Sequence, residues 1–338
     1  MKSVLTIGDG ISAWCLNFYL TKIPDISVTQ FSQNHFISPC SLNSTAINCL
    51  RGTQKGLTPL GDLMVDSLSE FIDFNQTYQP DGVFEGEEIH LFNPNHQYNN
   101  RYQKPIELNG QYPFKGVKSF YREKAYLISP ERLKGWFLKN SSGLETFTKF
   151  IIAIEPLKEG YKVLTQDGDY YFDEVYVASS YISKTLLAGI DVNLDQYMKY
   201  AKPVSGTYLE FEMDRQQIFK RYHIDSDICF DMEGSHLIFR TSEDKIIFGS
   251  TSDQSSIEYT NPLIFESLEQ IRTYFEYELP EPSAWKQRTG IRFKGRKRTP
   301  YWGEISSGLF VVTGLYKNGY SFAFKAARDL IISQRTPF

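Results

Sequence analysis

The start of the chain combines an apolar run, a glycine-rich turn and a segment with helical spacing. Apolar and β-branched positions over residues 3–7 predict a strand, and the turn Gly-Asp-Gly-Ile-Ser-Ala follows at residues 8–13. Apolar side chains then recur at helical spacing through residues 11–19. This order is typical of a dinucleotide-binding unit. Gly8 would make the tight turn, Gly10 would let the backbone approach a pyrophosphate, and Ala13 would let the helix pack closely on the strand.

The rest of the pattern alternates between helical and β-rich stretches. Strands are predicted at residues 26–31, 151–154, 161–165, 170–172, 175–178 and 308–313, and a strand-rich stretch at 203–257. Helices are predicted at residues 61–76, 262–278 and 321–333, and one that starts at Ser129 as N-cap and Pro130 as first residue. We therefore predict an α/β fold with two domains. A discontinuous Rossmann-like domain would comprise residues 1–77, 129–190 and 286–338, and a β-rich substrate domain residues 78–128 and 191–285.

Composition narrows the class of protein. The 338 residues carry a net charge of −4, which argues against a broadly basic nucleic-acid-binding surface but is compatible with a local basic patch. No apolar run approaches the roughly 18 residues of a membrane span, and the first residues do not match a signal peptide. The four cysteines form no Cys-x-x-Cys pair and have no histidine nearby at metal-ligand spacing. We expect reduced thiols, a cytoplasmic location and no metal site.

Two motifs near the C-terminus are more specific. Residues 289–292 read Thr-Gly-Ile-Arg and are followed by Pro-Tyr-Trp-Gly at 300–303, and residues 312–319 read Val-Thr-Gly-Leu-Tyr-Lys-Asn-Gly. Together with the opening glycine turn, these motifs resemble those of the FAD-dependent amine and amino-acid oxidases of the D-amino-acid oxidase superfamily, which include glycine oxidase and sarcosine oxidase. The resemblance spans nearly the whole chain and implies a fold of the D-amino-acid oxidase type.

The resemblance also implies a reaction and a site. The reaction would be oxidation of a C–N bond in an amino acid or secondary amine, by hydride transfer to flavin N5 and hydrolysis of the imine. The implied catalytic residues are Arg292, which would clamp a substrate carboxylate, with Lys317 and Tyr316. FAD would be non-covalent, since the last cysteine, Cys229, precedes the motif where some relatives attach flavin. The implied cofactor-binding residues are Gly8, Gly10, Ile11, Ser12, Ala13, Ser32, Gln33, Ser44, Thr45, Ala46, Ile151, Ser179, Gly290, Arg292, Gly314, Asn318, Gly319, Tyr320 and Ser321.

Three places depart from the family pattern. The second strand ends at Ser32 and Gln33, where an acidic residue would hold the adenosine ribose. A neutral hydrogen bond there contributes about 1 kcal/mol, against about 1.5–3 kcal/mol for a charged one. The strand at 175–178 leads into Ser179 and Ser180, where the family has a glycine at the second position. Asp9 puts a carboxylate inside the phosphate turn, where it either faces away from the phosphates or repels them.

These departures and one basic loop leave two alternatives to a small-molecule amine oxidase. A flavin-fold protein that has lost its chemistry would act as a binding partner or as a subunit of a larger dehydrogenase. Residues 294–298 read Lys-Gly-Arg-Lys-Arg, which is either a solvated loop or a docking patch for a polyanion. The docking interpretation keeps open an FAD enzyme that acts on carboxymethylaminomethyl-uridine in tRNA. The expected partner otherwise is a small amine or amino acid.

Overall fold

The computed structural model describes residues 1–32, 39–50, 56–91, 112–116, 120–232, 234–251 and 262–332. The strands within these ranges are β1 (Lys2–Ile7), β2 (Ile26–Ser32), β3 (Ile47–Asn48), β4 (Val83–Leu91), β5 (Phe120–Ile128), β6 (Glu145–Thr148), β7 (Ile151–Pro156), β8 (Tyr161–Thr165), β9 (Gly168–Phe172), β10 (Glu174–Val177), β11 (Lys202–Glu212), β12 (Ile228–Met232), β13 (Ser235–Arg240), β14 (Lys245–Gly249), β15 (Lys286–Lys294), β16 (Tyr301–Ser306) and β17 (Leu309–Thr313). The helices are α1 (Ile11–Leu20), α2 (Pro59–Tyr78), α3 (Pro130–Asn140), α4 (Ser183–Leu186), α5 (Val192–Tyr200), α6 (Arg215–Tyr222), α7 (Leu263–Tyr274) and α8 (Gly319–Ile331).

The first sheet is the predicted Rossmann-like layer. Its strand order is β16-β17-β10-β1-β2-β6, and the pairs β17–β10, β10–β1, β1–β2 and β2–β6 are parallel. Helices α1, α2, α3 and α8 cover one face through an aromatic core that contains Phe18, Phe71 and Phe137. The small sheet β7-β8-β9 and helices α4 and α5 cover the other face. Two covered faces are what a buried parallel sheet requires, so the predicted fold class is confirmed.

The second sheet has eight strands in the order β15-β11-β14-β13-β12-β4-β5-β3. Neighbours are antiparallel except β12 and β4, which run parallel. Helices α6 and α7 pack on one face through Ile218, Tyr222 and Leu268. The opposite face carries Cys229 and Ile238, together with the polar residues two positions away on the same strands, Asp231 and His236. This second face is turned toward the first sheet and helps to form the candidate site.

Two strands of the second sheet lie outside the predicted substrate domain. Strand β15 pairs with β11 along its whole length, and β3 pairs with β5. The sequence assigned both ranges to the Rossmann-like domain, because hydrophobic alternation identifies a strand but not its partner. The boundary predicted at residue 286 therefore separates a strand from the sheet to which it belongs.

The helices lie close to their predicted positions. Helix α2 begins earlier than predicted, since Thr58 caps it by accepting from the Gly61 N–H at 3.0 Å. Ser129 and Pro130 occupy the predicted first positions of α3, but the Ser129 hydroxyl bonds to Glu243 and does not cap the helix. None of the described helices is both long and apolar enough to cross a membrane.

Gly8 fixes the distance between the first turn and the neighbouring strand. Its φ is +135°, and a Cβ built on it would lie 2.4 Å from the carbonyl oxygen of Ala178, just after β10. The buried Gln30 side chain donates to the Gly8 carbonyl at 2.7 Å and accepts from Asn17 of α1 at 2.8 Å. The turn is therefore held by β2, α1 and the end of β10 together.

We expect Gly8→Ala to lower the free energy of unfolding by about 2 kcal/mol or more. The strained backbone alone costs about 1–3 kcal/mol, and the Ala178 carbonyl must also move. Gly135→Ala is the matched control, because Gly135 is an exposed helix position with nothing within 4 Å of a built Cβ. Alanine there should raise the free energy of unfolding by about 0.5–1 kcal/mol. Chemical denaturation measures both values, and a Gly8→Ala protein as stable as the parent would contradict this packing.

Candidate functional site

A cavity of about 600 Å³ lies where the carboxyl ends of β1, β10 and β17 meet the second sheet. Open α/β sheets bind ligands in this position. Twelve of the residues predicted for the site form part of its wall: Ile11, Ser12, Ser44, Thr45, Arg292, Gly314, Tyr316, Lys317, Asn318, Gly319, Tyr320 and Ser321. The structure thus brings together motifs from both ends of the chain.

Ser41 joins the wall segment of residues 40–49 to two helices. The Ile11 N–H donates to Ser41 Oγ at 3.0 Å, and the Tyr320 hydroxyl donates to the Ser41 carbonyl at 2.7 Å. Helices α1 and α8 both begin at the cavity. Their positive dipole ends and first-turn N–H groups therefore converge on one site, which favours an anionic or electron-rich ligand.

Asn48 holds the start of α8 from the same segment. Its Nδ2 donates to the Tyr320 carbonyl at 3.2 Å, and its Oδ1 accepts from the Ser321 hydroxyl. Between Ser41 and Asn48, the Ala46 N–H donates to Ser44 Oγ at 3.1 Å. Ala46 itself is buried with a φ of +45° and does not line the cavity, unlike its neighbours in the predicted set.

The acidic residue in the glycine turn is compensated outside the cavity wall. Asp9 forms an ion pair with Lys134 of α3 at 2.7 Å and accepts from the Trp14 indole at 3.4 Å. Its carboxylate is thus directed to α3. Gly10 is the N-cap of α1, and a Cβ there would lie 3.2 Å from Ser41 Oγ. Gly8, Gly10 and Ala13 support the turn from behind and are not part of the wall.

Ser32 and Ile151, both predicted to bind the cofactor, do not line the cavity. Ser32 ends β2, and its carbonyl accepts from the Lys149 N–H at 3.0 Å. Ile151 is buried in the core beneath the first sheet. Gln33 lies outside the described residues. Contact of Ser32 or Gln33 with the adenosine ribose, and of Ile151 with the cofactor, stays a prediction.

Ser180, which stands where the family pattern predicts a glycine, adopts a left-handed backbone conformation that favours glycine. Its φ is +56°, it lines the cavity, and its carbonyl accepts from the Thr313 hydroxyl at 3.2 Å. Ser179, which was predicted to contact the cofactor, has a φ of −98° and bonds to the Ser183 hydroxyl at 3.1 Å. It does not line the cavity. The residue at the wall is therefore Ser180, one position further along the chain.

The glycines of the C-terminal motifs leave space for protein atoms. A Cβ at Gly290 would lie 2.6 Å from the Asn43 carbonyl oxygen, so β15 packs directly against the 40–49 segment. Gly290 consequently does not line the cavity. A Cβ at Gly314 would lie 1.7 Å from the Tyr197 hydroxyl oxygen. Packing against protein atoms is thus a reason for the small size of both residues.

Arg292 reaches the cavity from β15 and is only 8% exposed. Its guanidinium lies against Gly206 of β11, where a built Cβ would come within 2.3 Å of Nη2. Nη2 also donates to Ser250 Oγ at 3.0 Å. A glycine and a hydroxyl therefore hold this cation in one orientation, and a fixed guanidinium matches the geometry of a carboxylate.

Tyr316 and Lys317 form a basic corner of the wall. Tyr316 has a φ of +52°, at the start of a 3₁₀ turn that leads into α8. The ammonium groups of Lys294 and Lys317 each lie 5.9 Å from the centre of its ring. Both cations therefore lie within reach of the Tyr316 ring, a favourable arrangement for an aromatic face.

The basic run 294–298 borders a second cavity of about 450 Å³, which also contains Tyr200 and Lys202. Arg298 lines both cavities. Lys297 and Arg298 have φ values of +53° and +64°, so the loop is a tight turn. The basic side chains are thus gathered beside the main cavity.

The sequence did not predict an acidic end of the main cavity. Glu88 of β4 and His236 of β13 line it together with Cys49. The Cys49 Sγ lies 2.6 Å from Glu88 Oε2, and His236 Nε2 lies 3.9 Å from Glu88 Oε1. These residues come from separate elements, so no local motif connects them. The available signal was the alternation in β4, which puts Glu88 and His90 on one face.

His90 lies behind Glu88 between two further carboxylates. Its Nδ1 is 3.0 Å from Asp231 and its Nε2 is 2.8 Å from Glu123. Burial lowers the pKa of His90, but the bonds to Asp231 and Glu123 and the charge of Glu88 raise it to about 9. The ring is therefore an imidazolium at neutral pH. Within the described residues, the sets Cys49–Glu88–Glu123 and Glu88–His90–Asp231 each place ligand-type atoms within 4.8 Å of one another, where the sequence predicted no metal site.

Residues 54–331 match the family described as DAO, FAD dependent oxidoreductase. This match covers more than half of the chain, so the chain belongs to that family and is an FAD-dependent oxidoreductase. The predicted resemblance and cofactor class are confirmed at this level. No curated protein sequence matches the chain.

Solved structures share the fold over nearly the entire chain. Glycine oxidase from Geobacillus kaustophilus has a TM-score of 0.74 at 16% identity, covering 100% of this chain and 97% of that one. Iminodiacetate oxidase from Chelativorans sp. has a TM-score of 0.76 at 15% identity, with 99% and 96% covered. L-proline dehydrogenase from P. horikoshii has a TM-score of 0.73 at 12% identity, with 99% and 94% covered. These similarities confirm the predicted type of fold.

We expect Ser180→Gly to raise the free energy of unfolding by about 1 kcal/mol. A left-handed conformation costs a residue with a Cβ about 1–2 kcal/mol, and the greater freedom of unfolded glycine offsets part of the gain. Ser179→Gly is the control, because its φ of −98° carries no such strain, and it should lower the stability. Thermal and chemical denaturation report both changes. A Ser180→Gly protein less stable than the parent would refute the strain.

Proposed function

We propose that this FAD-dependent oxidoreductase oxidises a C–N bond of a carboxylated amine, either an amino acid or a secondary amine. Arg292 carries the proposal, because a buried guanidinium fixed by Ser250 in the cavity wall is suited to hold a carboxylate. Glycine, iminodiacetate and L-proline, after which the similar enzymes are named, are all carboxylated amines. The substrate of this chain is proposed to belong to the same chemical class.

The cavity residues fit FAD. Gly10 keeps a side chain out of the turn before α1, and the charge of Asp9 is compensated by Lys134. The cavity volume of about 600 Å³ lies within the usual range of about 300–1,000 Å³ for ligand pockets. We assign the pyrophosphate to the first turn of α1, with Ser12, and the flavin end to the first turn of α8, with Asn318 and Gly319.

The chain's own residues would orient the substrate. Arg292 would hold the carboxylate and thereby fix the carbon next to the nitrogen. Tyr316 and Lys317 would border the same space, with Lys317 adding positive charge beside the carboxylate. The positive end of α8 would stabilise negative charge that develops at the site. Bound FAD supplies the hydride acceptor, and the imine released is hydrolysed in water.

We propose that FAD is held without a covalent bond. Two cysteines line the cavity, Cys40 and Cys49. Burial raises the pKa of the Cys40 thiol, although nearby Arg292 lowers it. The thiolate is the reactive form of cysteine, so a raised pKa makes Cys40 a poor nucleophile. The Cys49 thiol is engaged with Glu88.

Ser180 weakens the alternative of a subunit without chemistry. That alternative relied on a missing glycine and a missing ribose carboxylate. Ser180 takes the left-handed conformation that the glycine would have taken, so the backbone path beside the cavity is retained. A protein partner and a cytoplasmic location stay predictions.

We expect the purified protein to show a flavin spectrum, to release free FAD on heating, and to bleach anaerobically with a carboxylated amine. In Arg292→Ala, the amine concentration for half-maximal bleaching should rise about thirtyfold or more. Truncating one partner of a buried charge pair costs about 2–5 kcal/mol, and 1.4 kcal/mol is tenfold. The half-maximal concentration for Arg292→Lys should lie between those of the parent and Arg292→Ala, since lysine keeps the charge but lacks the planar guanidinium.

Arg288→Ala is the matched control for these variants. Arg288 lies on the same strand, is paired with Glu210 at 3.4 Å, and does not line the cavity. Its half-maximal concentration should equal that of the parent. Parental bleaching by Arg292→Ala would reject the clamp. A colourless protein that takes up no FAD would reject the assignment of the cofactor site.

A second candidate is an FAD enzyme that acts on the amine of a modified tRNA uridine. The observation in its favour is that Arg298 lines both the main cavity and the basic one. A polyanion bound over residues 294–298 would reach the same site as the small substrate. We expect tRNA affinity to fall steeply with salt and to weaken in Lys297→Gln/Arg298→Gln. Binding that is absent or independent of salt would exclude this candidate, with Lys22→Gln/Lys139→Gln, two exposed lysines outside both cavities, as the charge-matched control.

A further inference from the structure

The basic cavity beside the main one concentrates positive charge in a small volume. Five of the residues around its volume of about 450 Å³ are cationic, and none is acidic: Lys202, Lys294, Arg296, Lys297 and Arg298. Within the described residues, Lys202, Arg296, Lys297 and Arg298 form no ion pair. The whole chain carries a net charge of −4, so this excess of positive charge is local. Cations gathered in this way repel one another and favour a bound anion.

The turn that carries these cations is fixed on both sides. Lys294 forms an antiparallel β-bridge with Leu315, and the Tyr197 hydroxyl of α5 donates to the Thr299 carbonyl at 2.8 Å. Gly295 is buried, and a Cβ on it would lie 1.8 Å from the Tyr197 hydroxyl oxygen. The cations are therefore presented by a packed turn. A ligand would find them already in position, which lowers the cost of ordering them.

Two consecutive residues of this turn have a left-handed backbone. The φ values are +53° at Lys297 and +64° at Arg298. This conformation is unfavourable for residues with a Cβ, and it persists where the surroundings impose it, often at sites that bind ligands. Arg296 is held as well, with its guanidinium 5.0 Å from the centre of the Tyr200 ring. An unfavourable backbone thus brings three consecutive cations to one cavity.

Arg298 connects the basic cavity to the main one, because it lines both. Within the described residues, its guanidinium forms no hydrogen bond or ion pair. A substrate carboxylate on Arg292 would leave Arg298 without an anion. A molecule in the main cavity can therefore extend past Arg298 and place a second anionic group in the basic cavity.

A phosphate group suits this cavity better than a second carboxylate. A phosphate monoester carries a charge of about −1.5 to −2 at pH 7 and three acceptor oxygens, so it can contact several cations at once. The guanidinium fork matches two of these oxygens. A concave site of this volume suits one compact group, whereas a polyanion uses an extended basic surface.

We propose that the basic cavity is a binding site for a phosphate group, and that the substrate is a carboxylated amine that carries this group. Its carboxylate would lie on Arg292, and its phosphate beside Arg298 and Arg296. This inference rests on the proposed function for the Arg292 end only. The phosphate contact involves neither the reacting carbon nor the nitrogen, so it sets no condition on the protonation of the amine.

The test measures binding to the FAD-loaded protein by isothermal titration calorimetry at low salt. The probes are plain carboxylates paired with the same acids carrying a terminal phosphonate, a stable stand-in for phosphate: propionate and phosphonopropionate, butyrate and phosphonobutyrate, valerate and phosphonovalerate. We expect the phosphonate of at least one pair to bind about tenfold more tightly or better. Succinate, glutarate and adipate, with a carboxylate in place of the phosphonate, should gain less. Added salt should reduce the phosphonate preference.

Three variants separate recognition from folding. Arg298→Gln removes the cation shared by the two cavities and should remove the phosphonate preference. Arg298→Gly removes the same cation and relieves the left-handed backbone, so it decides the question if Arg298→Gln fails to fold. Arg221→Gln is the matched control and should keep the preference, because Arg221 is an exposed arginine of α6 that lines neither cavity. A merely structural role of Arg298 would weaken both members of a pair, whereas loss of a phosphate contact changes their ratio.

Three results would refute the phosphate site of the substrate. The first is that no phosphonate is preferred, or that the preference survives in both Arg298 variants. The second is that the dicarboxylates gain as much as the phosphonates. The third is that inorganic phosphate or tRNA binds in an Arg298-dependent manner while the phosphonates show no preference, since the cavity would then serve a different phosphate.

The same titrations distinguish this inference from the proposed function. If Arg292→Ala abolishes binding of the plain carboxylates and no phosphonate is preferred, the proposed function stands and this inference falls. If the phosphonate preference depends on Arg298 but Arg292→Ala binds the plain carboxylates like the parent, the phosphate site stands and the clamp falls.

Discussion

The site depends on the attachment of residues 40–49 to both sheets. Ser41 accepts the first N–H of α1 on its hydroxyl and the Tyr320 hydroxyl on its carbonyl, and Asn48 bonds to the first turn of α8. On the other side, the Asn43 backbone packs against Gly290 of β15 so closely that no side chain would fit there. One short segment thus sets the distance between two helix N-termini and the strand that carries the arginine. A change in this segment would alter both helix N-termini and the position of Arg292 together.

The two sheets contribute different physical properties to the cavity. The parallel sheet supplies backbone N–H groups and helix dipoles, which favour an anionic ligand. The antiparallel sheet supplies buried charges, and each is held by neighbours: Arg292 by Ser250 and Gly206, His90 by Asp231 and Glu123. Buried charges are stable only with such partners. The same partners fix their directions, and this makes them useful for orienting a substrate.

Local motifs made much of the Rossmann-like layer predictable. The glycine turn and the parallel strands follow from short runs of residues whose spacing has one structural meaning, whereas Arg292 was implied by the resemblance of its motif to the family. Sequence reasoning placed the missing glycine of the family pattern at Ser180 but chose its neighbour Ser179 as a cofactor-binding residue. In the structure, Ser180 lines the cavity and Ser179 does not. The acidic end was missed because Glu88 and His236 meet only through the pairing of β4, β12 and β13, which lie far apart in the chain. The place of β15 in the second sheet was missed for the same reason, since alternation does not specify a partner strand.

A crystal structure of the FAD-loaded protein soaked with propionate would show where both ligands bind. We expect the pyrophosphate at the first turn of α1, the flavin beside the first turn of α8, and the propionate carboxylate on the Arg292 guanidinium next to Ser250. FAD bound elsewhere, or a carboxylate that does not contact Arg292, would contradict this assignment of the site.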